Sequence, residues 1–456
     1  MRAPVPVNID GLDANGVATG LDERGRRWSV RGAIPGSLVL AGGRAAHGAL
    51  LSVARPHVDA IPARCALFGT CGGCLYQSLP VSRQREEKLR ALVALLGGCG
   101  AMRGTGGEGY GYRNKIELSF GPQRYMSRAE MASGATGEAG HFLGFHGPGR
   151  FDRVVDVPAC AIADPRINEV LGRVRRDVHA SPFPPYDPRS HAGFWRHLAL
   201  RAGRDGVLAL VYTAAGTAEH EAWLRVHAAG WGAAGVLWYT TDRPTDAAVG
   251  DLRQVLHGRD TLAAALGGAT MVLSPTAFFQ VNDQGAAVLL DTIASALGTG
   301  GTLLDLYAGV GALGLALAGR FDRVIGVELN AEAVAEANRN ASSLGVAAEY
   351  RAGKVEELLA GVLAEAGRPV KVLVDPPRGG LHPAALRPLL HLDADTLVYV
   401  ACRPSSLARD GAALEASGWR RDGWTAVDLF PHTAHVEVVA RFTRDRSPAC
   451  PPASGF

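Results

Sequence analysis

Over the first 57 residues, apolar and polar positions alternate in short runs broken by Gly11, Gly16, Gly20, Gly25, Gly32, Gly36 and the pair Gly42-Gly43. Alternation with glycine punctuation predicts short strands curled into a small all-β barrel, which Pro56 ends. A glycine-bearing loop with three cysteines follows at residues 63–74. At residues 82–96 the period becomes helical, with Leu89, Leu92, Leu95 and Leu96 on one face and charges on the other. From Tyr110 to about Gly267, strands and turns mix. Residues 116–120 alternate, residues 198–201 and 207–212 predict a hairpin across 202–206, and residues 236–239 predict another strand. The polar, glycine-rich stretch 125–140 is expected to be a loop.

The last third changes character. Residues 303–306, 324–328, 370–374 and 397–400 are continuous apolar runs separated by helical stretches. That pattern predicts a parallel α/β sheet buried on both faces. With 456 residues the chain exceeds one core. The expected division is 1–57, 58–267 and 268–446, with a frayed Pro/Ser tail at 447–456.

Composition is that of an ordinary globular protein, 47% hydrophobic and 20% charged. No apolar run is long enough to span a bilayer, and Met1-Arg2-Ala3-Pro4-Val5 does not open a signal peptide, so a cytoplasmic protein without membrane contact is expected. The net charge of +3 is weak guidance to partners. Its distribution says more: residues 1–57 hold seven Arg against four acids, and residues 75–115 seven basic residues against three acids. Both stretches suit the border of a phosphate-binding surface, or a solvated face. The seven cysteines are odd in number and unevenly spread, unlike a disulfide framework, which favours metal binding or catalysis for some of them.

Three motifs carry chemistry. Cys65-x5-Cys71-Gly72-Gly73-Cys74 sets three thiols on one tight loop, and Cys160 is a candidate fourth ligand. Four thiolates suit either tetrahedral Zn²⁺ or an iron–sulfur cluster, and spacing does not choose. Asp305-Leu306-Tyr307-Ala308-Gly309-Val310-Gly311 follows a strand and precedes a helix, as a cofactor loop does, and the next strand ends at Glu328, placed to accept from ribose hydroxyls. Cys402 stands at a strand-to-helix junction before Pro404, where a helix N-terminus is expected to increase its thiolate character. Glu437 comes after a further apolar strand.

Taken in order, these motifs resemble the RNA (uracil-5-)-methyltransferases, most closely the branch that acts on 23S ribosomal RNA and carries an iron–sulfur cluster. The resemblance runs almost end to end. It is carried by Tyr112-Arg113-Asn114-Lys115, Arg196-His197-Leu198, Ser274-Pro275-x-x-Phe278-Phe279-Gln280-Val281-Asn282, residues 305–311, Asp375-Pro376-Pro377-Arg378-Gly379, residues 402–410 and Phe430-Pro431-His432-Thr433-x-His435-x-Glu437. The implied fold is α/β: a class I, Rossmann-like methyltransferase domain after an N-terminal TRAM-like RNA-binding barrel and a central α+β iron–sulfur domain. The implied roles are Cys402 as nucleophile, Glu437 as base, Gln280, Tyr307, Glu328 and Asp375 around S-adenosyl-L-methionine, and Cys65, Cys71, Cys74 and Cys160 as [4Fe–4S] ligands. Arg403, Ala401 and Ala312 depart from the family, which usually has Asn, Ser and Asn there. They bear on local backbone hydrogen bonding and a cofactor contact, not on the thiol.

The expected activity is methylation of uracil C5 in RNA, ribosomal RNA ahead of transfer RNA, by a monomer with no obligate protein partner. A thiol added at C6 turns the poorly nucleophilic C5 into an enolate carbon, and a base then removes the C5 proton. The target base must leave its stack for this. Two other classes compete: an amino-group methyltransferase, which needs no thiol, and a non-catalytic RNA-binding module, which forms no adduct with 5-fluorouracil RNA. His432 and His435 are expected to be structural, and Arg378 to cap a helix or pair with an acid.

Overall fold

The computed structural model describes residues 3–127, 130–131 and 133–444. The expected tail at 447–456, with Cys450, lies outside the described residues, as do positions 128, 129 and 132 of the expected 125–140 loop. The chain forms two compact units: Met1–Lys88, Thr105–Ala286 and Leu429–Ala434 make the first, and Leu89–Gly104, Ala287–Asp428 and the chain from His435 make the second.

In the first unit, strands β1 (Val5–Leu12), β2 (Ala18–Asp22), β3 (Arg27–Arg31), β4 (Leu38–Arg44) and β5 (His47–Arg55) close a barrel in the order β1-β2-β3-β5-β4. The alternation read in the sequence puts Val7, Ile9, Trp28, Val30 and Val39 inside it. Asp22 enters this interior because it has donors there: Trp28 Nε1 at 2.9 Å and Arg26 Nε at 3.1 Å. After the cysteine loop comes α1 (Val81–Leu96), then β6 (Gly100–Gly104).

A seven-stranded sheet follows, built from β7 (Lys115–Gln123), β8 (Ala139–His146), β9 (Val154–Asp156), β10 (Trp195–Gly203), β11 (Gly206–Thr213), β12 (Gly235–Thr240) and β13 (Asp251–Gly258), in the order β13-β12-β11-β10-β7-β8-β9. The hairpin read from the sequence is β10–β11, with Gly203 paired to Gly206. Helix α2 (Pro165–His179) starts on an Asp164 cap with Pro165 in its first turn and buries Ile167, Val170, Leu171, Val174 and Val178. Helix α3 (Ala218–Ala228) and the two-stranded hairpin β14 (Leu262–Leu266) and β15 (Ala269–Leu273) complete the middle of the chain.

Helix α4 (Asp283–Leu297) leads into the second unit. Its sheet contains β16 (Thr302–Leu306), β17 (Arg323–Glu328), β18 (Ala348–Ala352), β19 (Val370–Val374), β20 (Thr396–Ala401), β21 (Arg420–Asp428) and β22 (Glu437–Thr443), with connecting helices α5 (Ala312–Leu317), α6 (Ala331–Leu344), α7 (Val355–Glu365), α8 (Pro383–Leu390) and α9 (Pro404–Ala416). The order is β18-β17-β16-β19-β20-β22-β21-β6. The pairs β18–β17, β17–β16, β16–β19 and β19–β20 are parallel, whereas β22 runs antiparallel to β20 and β21. The four apolar runs of the sequence are four central strands of this sheet. From β16 the chain builds outward to β18, then crosses back to β19, so the strand order reverses between β16 and β19. In an open α/β sheet the carboxyl ends at such a reversal form the ligand crevice. Strand β6 pairs in parallel with β21 at the edge, and Leu92 and Leu96 of α1 join this unit's core. Among the described residues no helix is long and apolar enough to cross a membrane.

Candidate active site

The glycine loop after β16 has the geometry of a nucleotide-binding turn. Tyr307 is held at φ 63° and Gly309 at φ 55°, and Gly311, at φ 74°, forms the N-cap of α5. A side chain at Gly311 would meet the ring of Tyr350 at 2.7 Å, so glycine is required there for both conformation and space. Glu328, at the end of β17, accepts from Gly309 N at 3.0 Å through Oε2 and from Asn330 N at 2.8 Å through Oε1. The expected ribose-facing acid is therefore fixed against the loop itself. Asp305 is buried beneath the turn and accepts from Gly314 N at 3.2 Å. Burial, then the neighbouring Asp375, pushes its carboxyl up to about 7. Tyr307 is half-buried, and burial raises its phenol to about 12.

Asp375 follows β19 on the other side of the reversal, with its N–H donating to Leu306 O at 3.3 Å. Burial pushes its carboxyl up to about 7. Next along the sheet, Cys402 lies between the end of β20 and Pro404, the first residue of α9, at the junction read from the sequence. Antiparallel pairing of β20 with β22 ends at Ala401 and Val438, and Glu437 pairs with Val427 on the other side. One more step in that register sets Glu437 across from Cys402.

Electrostatics ties these groups into one site. Burial, then Glu437, then Asp375 push the Cys402 thiol up to about 11, and Arg378 acts in the opposite direction. Burial, then Asp375, hold the Glu437 carboxyl well above the usual range, again opposed by Arg378. The expected gain of thiolate character at Cys402 meets an opposing environment: loss of water and two facing carboxylates push the thiol up and outweigh the guanidinium. Arg378, expected to cap a helix or pair with an acid, lies within electrostatic reach of both the Glu437 carboxyl and the Cys402 thiol.

Gln280 belongs to the first unit, where its carbonyl accepts from Asn114 Nδ2 at 3.1 Å and its side chain is half-buried. His432, expected to be structural or hydrogen-bonding, makes hydrogen bonds through both backbone and ring. It is buried, its N–H donates to Gln84 Oε1 at 2.7 Å, and its ring lies 3.0 Å from Gln84 Nε2 and 2.8 Å from Glu108 O.

Cys65, Cys71, Cys74 and Cys160 are free and half-buried in the first unit. Their backbones are fixed by side-chain amides: Cys65 N donates to Gln77 Oε1 at 3.1 Å and Cys160 N to Asn168 Oδ1 at 2.9 Å. Burial raises the thiols of Cys71, Cys74 and Cys160, Cys74 to about 12, and the other cysteines of the set add to each shift. Four sulfurs share one environment, and as donors they suit a soft metal or cluster. Among the described residues, however, no three or more His, Cys, Asp or Glu side chains converge in a metal-holding group.

Residues 270–364 match the family model "Methyltransferase small domain". An uncharacterized RNA methyltransferase of Caldanaerobacter subterraneus subsp. tengcongensis is 33% identical over 456 residues, covering 95% of this chain and 97% of that protein. Another, from Chlorobaculum tepidum, is 31% identical over 408 residues, covering 85% and 84%. Among solved structures, the Pyrococcus abyssi tRNA (uracil-54, C5)-methyltransferase in complex with S-adenosyl-L-homocysteine superposes with a TM-score of 0.76 at 24% identity, over 97% of this chain and 100% of that one. That likeness establishes the shared fold. With relatives of one kind aligned along nearly its whole length, the chain belongs to the RNA methyltransferase family.

Proposed function

We propose that this protein methylates C5 of uracil in RNA, using S-adenosyl-L-methionine and a covalent bond between Cys402 and C6. The observation that carries the reading is the placement of Cys402 opposite Glu437 at the end of β20, with Asp375 and Arg378 within electrostatic reach of both. A methyltransferase acting on nitrogen needs no such thiol. Tyr307, Glu328 and the glycine loop form the side of the crevice suited to the donor, which supplies an electrophilic methyl group when bound. We assign Gln280 and Asp375 to orienting the donor or the base.

In this mechanism the Cys402 thiol first loses its proton to water, which its raised pKa makes costly and the Arg378 charge eases. The Sγ–C6 bond then forms, and the C5–C6 electron pair moves to O4 as an enolate. C5 uses that electron density to bond the methyl carbon as the S–CH3 bond breaks, its electron pair staying on the sulfur of the departing S-adenosyl-L-homocysteine. Glu437, ionised, accepts the C5 proton, and the released pair restores the C5–C6 double bond and expels Sγ as thiolate. A carboxylate whose pKa is raised is the stronger base for this last step.

We further propose that the N-terminal barrel is a TRAM-like module that holds flanking nucleotides, and that Cys65, Cys71, Cys74 and Cys160 ligate a [4Fe–4S] cluster. The support for the cluster is the donor chemistry of four thiols in one environment; no catalytic step is assigned to it. Ribosomal RNA is the favoured substrate, on the cysteine loop and barrel together. Transfer RNA is the second reading, favoured by the named activity of the Pyrococcus relative. The deciding experiment maps 5-methyluridine in ribosomal and transfer RNA with and without this protein, and tests for an adduct between the protein and 5-fluorouracil RNA. The proposal fails if Cys402→Ala still makes 5-methyluridine at the normal rate.

A further inference from the structure

Asp410 lies in the second turn of α9 and is wholly buried at 0% exposure. A carboxylate so placed is costly unless each oxygen has donors. Here Oδ2 accepts from Leu381 N at 2.8 Å and from Tyr399 OH at 2.8 Å, and Oδ1 accepts from Arg409 Nε at 2.8 Å. Arg409 in turn donates from Nη2 to Gly379 O at 2.9 Å. The two adjacent residues thus grip the loop backbone at 379 and 381, one through a carbonyl and the other through an N–H. Between those points Gly380 sits at φ 78°, and a side chain there would lie 2.6 Å from Asp410 Oδ2 and 2.4 Å from Arg409 Nη2.

The gripped loop begins with Asp375 and Arg378. The gripping helix starts two residues after Cys402, and Tyr399 lies three residues before it on β20. An apolar side chain at position 410 would leave the Leu381 N–H and the buried Tyr399 hydroxyl without their acceptor. What the carboxylate adds is a fixed relation between two segments.

We infer that Asp410, with Arg409, is a positioning residue: it holds the loop bearing Asp375 and Arg378 in register with the strand and helix bearing Cys402, so that the Arg378 guanidinium faces the thiol and Glu437. The inference rests on the assigned role of Cys402 in the proposed function.

The test uses full-length Asp410→Asn, Tyr399→Phe, Arg378→Ala and the double variant Asp410→Asn/Arg378→Ala. Adduct formation with 5-fluorouracil RNA is followed in single turnover, together with binding of RNA and S-adenosylhomocysteine and the pH dependence of Cys402 alkylation. Asp410→Asn is expected to slow the adduct step about 100-fold, the size of effect that a misplaced group produces. Ligand affinities stay within about threefold, and the alkylation profile moves to higher pH, towards that of Arg378→Ala. The double variant is expected to be no slower than Arg378→Ala alone. Should Asp410→Asn fail to fold, Tyr399→Phe removes a single hydroxyl and is expected to shift the profile in the same direction. Multiplying effects in the double variant, or an unchanged alkylation profile in the soluble variants, would overturn the inference. Alkylation does not depend on a covalent mechanism: a wild-type protein that forms no adduct defeats the proposed function, whereas a wild-type adduct with an unaffected variant defeats only this inference.

Discussion

Glu437 stands one residue beyond the Ala401–Val438 pair, across from Cys402, so the proposed nucleophile and base are set by the register of a single antiparallel ladder. The proximity has a cost: the carboxylate helps to push the thiol up to about 11. Without ligands, alkylation of Cys402 is expected to rise about tenfold per pH unit between pH 7 and 9, following the thiolate fraction. Peptide mass mapping after timed iodoacetamide treatment reads this directly, and a plateau below pH 9 would contradict it. Glu437→Gln removes one of the facing negative charges and should speed alkylation at the upper end of that range.

Asp305 leads to a prediction about stability. Its carboxyl is raised from 3.8 to about 7 by burial. A carboxylate with a higher pKa folded than unfolded binds its proton more tightly in the native state. Its stabilising contribution is complete below about pH 4 and is lost as pH rises through 7. Asp305→Asn should therefore be more stable than the parent at pH 8, on the order of 2–4 kcal/mol, and equal to it near pH 4. Urea titrations of both proteins across that range decide it.

Glu328 is predicted to act through the loop as well as on the donor. Glu328→Gln leaves Gly309 N facing a neutral partner and takes away a charge-assisted bond worth about 1.5–3 kcal/mol. Calorimetry should show S-adenosylhomocysteine binding weakened about tenfold or more. Unaltered affinity would mean that the acid only shapes the turn.

Much of this site is legible in the sequence because its strands are buried on both faces and so read as unbroken apolar runs. Cys402, Glu328 and Asp375 each sit at the end of such a run. Strand β18 escapes that signal: it borders the sheet, and only Tyr350 of its five residues is buried. Strand β6, Gly-Ala-Met-Arg-Gly, carries no alternation, and only its distant pairing with β21 makes it a strand. The raised pKa of the Cys402 thiol is not legible in the sequence for a related reason. The helix start is local and visible in the sequence, whereas the opposing carboxylates arrive from β19 and β22 through tertiary structure.

For the cysteine set, aerobically and anaerobically purified protein should be compared. Iron and acid-labile sulfide in equal amounts are expected in the anaerobic sample, and Cys74→Ser or Cys160→Ser should lose both. Zinc without sulfide would replace the cluster with a tetrahedral ion.

The edge position of β6 bears on how the molecule is made. Residues 100–104 emerge from the ribosome long before β21, their hydrogen-bonding neighbour, exists, and must wait unpaired until Trp424 and its surroundings are synthesised. A fragment starting at residue 268 would have β21 as a bare margin, open to the same strand from another molecule. Severing the chain between its apparent modules would therefore yield a sticky product rather than a minimal enzyme.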